Sequence, residues 1–569
     1  MKRKSLAIIL IILIITTVIG CGNRSDDFGS SQAGTISIEY YNTSTPSVSE
    51  SYYNNIYNPS PGAAETATSD DYYDSIYRYE QETGVSEIMI PDRNNEEYKQ
   101  FTETGFSLVS LYPLSTFAAD VDTASYANLR RLINSGYNLR DLPEGSVRIE
   151  ELLNYFSYNF SGPSRNEPFG VTTEISACPW NPESELLMIG LKTKDIVYED
   201  FPPSNLVFLI DVSGSMSPHD RLPLLQQCFV MLAEHLTAKD RVSIVTYAGS
   251  DTTVLEGVSG NKQKEIIKAI NGLSAGGSTN GGDGIISAYR LAEKYFIEGG
   301  NNRVILATDG DLNVGITSEK DLTNLITEKR ESGVFLSVLG VGSGNIKDNK
   351  MKALALNGNG NYSFIDSERE GRKVLIEEMG GTLLTVCKDV KLQVEFNPAV
   401  VKEYRLIGYE NRRMDWQDFR NDEKDAGEIG AGHSVTALYE IILHEPLNNG
   451  ISPVVAGGNL RYAANHGTTK VSVNSRSLTD EWLTLSIRFK RPAENVASEL
   501  YYPVDFENYR TNPSNDFRFA AAVAEFGLVA SDSAYQGNAS LGNVRTVLRG
   551  LRLNDEYKEE FYELVSKVR

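Results

Sequence analysis

At 569 residues the chain exceeds what one ordinary core holds, and length alone predicts roughly three to four domains. A hydrophobic content of 41% suits globular packing. The 54 Lys and Arg side chains face 76 Asp and Glu, so the net charge is -22; phosphates are repelled and no basic stripe with interleaved aromatics stands out, which argues against nucleic acid as a partner.

In chain order, Lys2, Arg3 and Lys4 form a basic start, Leu6 to Ile19 is almost wholly apolar, and "VIGC" ends at Cys21. The apolar stretch falls short of the ~20 residues a spanning helix needs and has the layout of an export signal. "VIGC" resembles a bacterial lipobox, which implies a signal peptide over 1–20, cleavage after Gly20 and a lipid on Cys21. An uncleaved membrane anchor is the alternative, and either one puts the body outside the cytoplasm, in the cell envelope. Residues 21–105 are rich in Ser, Asn, Asp, Glu and Tyr without periodicity and read as a disordered tether. Its paired clusters, "YYNNIY" at Tyr52 and "YYDSIY" at Tyr72, fit composition drift better than docking motifs.

Residues 106–200 predict a short strand and a helix in "PLSTFAADVDTASYANLRRLINSG", with Leu129 and Leu132 inward and Gly136 closing it. A second helix follows at "VRIEELLNYF", then a β-hairpin from "FGVTTEISAC" and "ELLMIGLKTK". Over 201–385 the pattern alternates. Five apolar runs ("NLVFLI", "RVSIVTYA", "NRVILAT", "GVFLSVLGV", "NYSFI") are interspersed with amphipathic ones, from "RLPLLQQCFVMLAEHL" to "SEREGRKVLIEEMGG". Strands buried on both faces between such helices predict an α/β domain with a doubly wound, mostly parallel sheet, broken only by a "TTVL" edge strand. Residues 386–569 turn to alternating strands, best fitted by a β-sandwich, and then to helices. The earlier hairpin is expected to complete that sandwich, making the α/β domain an insertion.

Ligands of an open parallel sheet sit beyond the carboxyl ends of its strands. There "LVFLIDVSGSMS" places Asp211, Ser213 and Ser215, "GGSTNGGDG" places Thr279, and "VILATDGD" places Asp309. Two carboxylates and three hydroxyls are hard oxygen donors, a set that selects Mg²⁺ or Mn²⁺, with Ca²⁺ also admitted, over zinc or copper. Neutral hydroxyls offset the ion's charge only in part, which leaves a coordination position for a partner's carboxylate.

"DVSGSMS", "GGSTN" and "ATDGD" resemble the three segments of the metal-ion-dependent adhesion site in von Willebrand factor type A domains, whose fold is Rossmann-like. The resemblance implies that Asp211, Ser213, Ser215, Thr279 and Asp309 are the metal ligands. With "PLSTFAADVDTASYANLRRLIN", "GAGHSVTALYEI" and "DFRFAAAVAEFG", the chain is similar to a bacterial lipoprotein family. In that family an A-domain-associated segment, the A domain and a C-terminal domain of unassigned function follow one another. The expected function is a non-enzymatic, lipid-anchored binding protein whose partner is an extracytoplasmic protein with an exposed Asp or Glu. A metal-dependent hydrolase is the rival, but it lacks a general base. An accessory of a chaperone-like ATPase is a third reading, and the export signal opposes it.

Other motifs carry less. Asp283 reads as a helix-start carboxylate and Asp311 as a turn residue. "DVDTAS" at Asp120 echoes the site motif without partner loops and reads as a helix cap; "GLSAG" closes a helix where a nucleophile elbow opens one. The five histidines show no ligand spacing, and His219 reads as a turn residue. Cys228 falls on an apolar helix face, and Cys178 and Cys387 flank the α/β domain as free thiols or, less simply, as a disulfide.

Overall fold

The computed structural model describes residues 95–119, 122–164, 167–195, 201–248, 250–276, 284–310, 319–378, 385–424, 426–444, 460–462, 480–492, 494 and 496–568. The signal segment, Cys21 and both tyrosine clusters lie outside them. Strands β1 (Ser107–Leu108) and β2 (Leu114–Ala118) come first, then helices α1 (Ala124–Asn134) and α2 (Ile149–Tyr155), then β3 (Phe169–Ala177) and β4 (Glu185–Thr193). The α/β domain opens with β5 (Ser204–Asp211), α3 (Leu222–His235), β6 (Arg241–Tyr247), β7 (Asp251–Ser259), α4 (Gln263–Asn271) and α5 (Gly284–Lys294). It continues with β8 (Asn301–Thr308), α6 (Glu319–Glu331), β9 (Val334–Val341), α7 (Asp348–Asn357), β10 (Tyr362–Ile365) and α8 (Glu368–Arg372). Strands β11 (Thr385–Phe396), β12 (Val401–Ile407), β13 (Arg413–Met414), β14 (Ile429–Gly430), β15 (Ser434–Leu443), β16 (Glu481–Lys490) and β17 (Ser498–Asp505) follow. Helices α9 (Asn515–Ala530), α10 (Leu541–Arg549) and α11 (Glu556–Lys567) complete the order.

The α/β sheet has the order β10-β9-β8-β5-β6-β7 and is parallel except for the antiparallel edge strand β7. Every residue of β5 and β8 is buried, because helices cover both faces of the sheet. Between β9 and β10 lies α7, which the hydrophobic pattern does not announce. Two neighbouring parallel strands need a crossover, and α7 supplies it while burying Met351, Leu354 and Ala355.

Two antiparallel sheets, β1-β12-β15-β4-β3 and β13-β2-β11-β16-β17, close on one apolar core that includes Phe117, Leu187, Leu392, Tyr439 and Leu485. Strand β4 pairs with β15 from Glu185 opposite Ile441 to Lys192 opposite Ser434, so the hairpin before the α/β domain and the strands after it build the same sheet. The α/β domain is therefore inserted into the sandwich. Residues 106–200 are not a separate layer: their strands join both sheets, and α1 and α2 pack with α9, α10 and α11 in a helical layer around Trp180, Phe156 and Phe561.

Two further expectations need correction. The expected tether runs to residue 105, yet from Asn95 onward the chain is fixed to the body: Asn95 N donates to Gly344 O at 2.9 Å and Glu97 N to Ile346 O at 2.8 Å. Polar composition hides this strap because backbone pairing and ion pairs, not apolar periodicity, hold it. In "DVDTAS" the N-cap position of α1 falls on Thr123, whose side chain makes no capping bond. Asp122 instead accepts from Tyr362 N at 3.2 Å and pairs with Lys352 and Arg412, so it links the start of α1 to the α/β domain. Cys178, Cys228 and Cys387 are all free and buried.

Candidate metal centre

Strand β5 is an almost unbroken apolar run until Asp211, where the chain leaves the sheet at its carboxyl edge. Asp211 is wholly buried there and Ser213 nearly so. The loop folds back at once: Ser213 N donates to Asp211 Oδ1 at 2.8 Å, and a single 3₁₀ turn, Gly214–Met216, follows. Met216 anchors that turn by burying its side chain in the core cluster that also holds Ile210 and Leu225. The alternate spacing of the two serines brings Ser213 Oγ and Ser215 Oγ to 2.9 Å from each other.

Strand β8, the parallel neighbour of β5, ends in Thr308 just before Asp309, so the second carboxylate arrives beside the first. Thr308 Oγ1 lies 3.5 Å from Asp211 Oδ2. Asp309 is 2% exposed; its Oδ2 accepts from Arg221 Nη1 at 2.5 Å, while its Oδ1 is buried with no hydrogen-bond partner among the described residues. Gly310 makes the turn after it with φ +117, and a Cβ there would collide with the Asn345 carbonyl. Burial pushes the Asp211 carboxyl up to about 6, because the amide of Ser213 and nearby hydroxyls offset only part of the lost hydration.

Thr279, Asp283 and Asp311 lie outside the described residues. Of the described residues that flank Thr279 in sequence, Gly276 N donates to Val212 O at 2.8 Å, and Gly284 at the start of α5 packs against Tyr247 and Leu209. His219 is exposed. The described donors of the candidate centre are the carboxylates of Asp211 and Asp309 and the hydroxyls of Ser213 and Ser215. Its donors fit a hard divalent cation: a buried carboxylate oxygen without a described partner, a second carboxylate that burial leaves undercompensated, and two converging hydroxyls.

Sequence patterns do not single out Arg221. It occupies the N-cap position of α3, and its guanidinium bridges Asp309 Oδ2, Ser215 O at 2.6 Å and Ser343 O at 2.8 Å. A cation at a helix N-terminus opposes the helix dipole and needs a carboxylate nearby, which is the one signal available.

Comparison with known proteins identifies the fold. The family model described as von Willebrand factor type A domain matches residues 205–377, and one described as von Willebrand factor matches 92–188. The fold and its loops thus define a protein built on a von Willebrand type A domain, a module that typically mediates protein–protein interaction and commonly binds a divalent metal. A third model, "Uncharacterized protein YfbK, C-terminal", matches 381–569. YfbK of Escherichia coli (strain K12) is 42% identical over 485 residues, 84% of this chain and 81% of its own length, and the chain belongs to the YfbK family. Human inter-alpha-trypsin inhibitor heavy chain H4 is 28% identical over 148 residues, 25% of this chain and 16% of that protein. Among solved structures, a von Willebrand factor type A protein from Catenulispora acidiphila covers 72% of this chain and 91% of its own, at 14% identity and TM-score 0.38.

Proposed function

We propose that this chain is a non-enzymatic binding protein of the cell envelope, held to a membrane by a lipid on Cys21, whose A domain captures a partner through a divalent ion. Asp211, Ser213, Ser215, Thr279 and Asp309 would hold the ion, Mg²⁺ or Mn²⁺, with Ca²⁺ as a further candidate. An Asp or Glu of an extracytoplasmic protein would complete the coordination. The observation that carries this reading is Asp309 Oδ1: a buried carboxylate oxygen without a described partner, beside a second carboxylate and two converging hydroxyls. Such an oxygen is costly to bury unless a cation meets it.

When bound, the ion would supply Lewis acidity and an open coordination position; Asp211, Ser213, Ser215, Thr279 and Asp309 would hold it, with Asp211 and Ser213 buried. Calorimetric titration of the metal-free protein with MgCl₂ or MnCl₂ tests the reading. Saturation should stabilise the fold by about 2.7 kcal/mol at a hundredfold excess over the dissociation constant. Asp211→Ala should abolish that increment while the protein stays folded. Melting curves that ignore both metals would sink the metal reading, and retention of lipid label by Cys21→Ser would sink the anchor.

A further inference from the structure

Arg221 touches two of the proposed metal-holding loops and belongs to neither donor set. Its Nη1 reaches Asp309 Oδ2 at 2.5 Å and the Ser215 carbonyl at 2.6 Å, and its Nη2 reaches the Ser343 carbonyl at 2.8 Å. The loop after β9 is shaped around the side chain: Gly342 has φ +82, and a Cβ there would lie 2.5 Å from Arg221 Nε. That loop is in turn held by the strap, where Gly344 N donates to Glu96 Oε1 at 2.8 Å. The guanidinium is thus a fixed part of the site, 14% exposed at its side chain.

We infer that Arg221 is a built-in cation that holds Asp309 by one oxygen, leaves the other oxygen for the metal, and gives the loaded site an excess positive charge that selects an anionic ligand. The inference rests on the metal reading above. Among the described donors the two carboxylates formally match a dication and the hydroxyls are neutral, so the positive surplus expected from the donor types needs a further source, and Arg221 supplies it. With it, one positive charge remains beside the open position. Arg221 then opposes the metal and favours the anion.

Opposite changes in two affinities test this. Mn²⁺ binding is measured by electron paramagnetic resonance, and binding of a capped aspartyl peptide to the Mn²⁺-saturated protein by calorimetry. Arg221→Gln should tighten Mn²⁺ binding several-fold, weaken peptide binding by about tenfold, and lower the melting temperature of the metal-free protein, whose carboxylates lose their counter-charge. Arg221→Lys, which keeps the charge, should keep peptide affinity within about threefold of the parent. A merely structural arginine would weaken both affinities together in Arg221→Gln, and that result overturns the proposal. So does peptide affinity unchanged in Arg221→Gln, or lost equally in Arg221→Lys. If the parent binds no Mn²⁺, the metal reading fails and this inference falls with it, an outcome distinguishable from all of these.

Discussion

Carboxyl groups far from the proposed metal centre show what burial does to a charge in this fold. Glu410 follows Gly408 and Tyr409, which have φ +73 and +66, and a Cβ at Gly408 would meet Glu150 Oε2 at 2.6 Å. The backbone is turned so that Glu410 lies near Glu150 and Glu103, and its carboxyl is pushed up to about 7, first by burial and then by repulsion from those carboxylates. A raised folded value means that the folded state holds a proton which the unfolded chain releases near pH 4.5. The contribution to stability is therefore complete below about pH 4.5 and is lost as pH rises through about 7. Glu410→Gln should leave stability at about pH 4 unchanged and raise it by up to about 3 kcal/mol at about pH 8, measured by urea unfolding at both values. An equal effect at the two pH values would show that shape rather than charge governs the position. Residues of this kind are illegible in a sequence because their neighbours come from distant segments. The same applies to Arg221, 88 residues from Asp309. Asp211, Ser213, Ser215 and Asp309 are legible because each sits at the end of an apolar strand or in the turn straight after it.

Among the elements, the parallel strands are readable because burial on both faces makes them continuous apolar runs. Helix α7 is not: "DNKMKALALN" buries Met351, Leu354 and Ala355 but leaves Ala353 and Leu356 exposed, so its periodicity is faint. Because β9 and β10 are parallel neighbours, a crossover between them is required by topology where periodicity is silent. The strap around Asn95 and Glu97 leaves no periodic signal at all. Close packing of elements is equally silent until the structure is seen, and α8 illustrates it. Its N-cap Ser367 accepts from Glu370 N, and its Gly371 lies directly on Cys228 of α3, where a Cβ would overlap the Cys228 sulfur. This contact explains a small residue at 371 and a buried thiol at 228 without any redox role; burial pushes that thiol up to about 12. Gly371→Ala should cost about 1–3 kcal/mol by overpacking. Adding Cys228→Ala should return part of that loss, because the methyl takes the space of the sulfur. Thermal melts of the two single variants and the double variant form the cycle. Additive losses would refute direct contact between α8 and α3.

At the scale of the molecule, the A domain is an insertion whose two chain crossings enter one sandwich, and buried ion pairs fasten it to the helical layer as well. Arg130 on α1 bonds Asp366 and, at 2.8 Å, Glu370 in the A domain, and at 2.7 Å Glu560 of α11. Tyr155 of α2 donates to Glu370 at 2.7 Å. Arg148 joins Glu151 at 2.5 Å and Asp348 of α7 at 3.0 Å, and Lys352 of α7 bonds Glu151 as well. Buried pairs of this kind add little net stability compared with apolar packing, but breaking one strands its partners without counter-charge. The fastening should therefore couple the unfolding of the parts more than it raises the stability of the whole. It also lets the insertion present the proposed metal centre from a fixed frame, which suits capture of a partner's single carboxylate. Arg130→Met would leave Asp366 and Glu370 uncompensated inside the interface, at a cost of about 3–5 kcal/mol. Differential scanning calorimetry should show one cooperative transition in the parent and two in Arg130→Met, the A domain separating from the sandwich and helical layer. Glu370→Gln with Arg130→Met should restore part of the cooperativity, because the removed charge no longer needs a partner. A single transition at the parent's temperature in Arg130→Met would mean that the two crossings alone couple the domains, and the ion-pair account would fail.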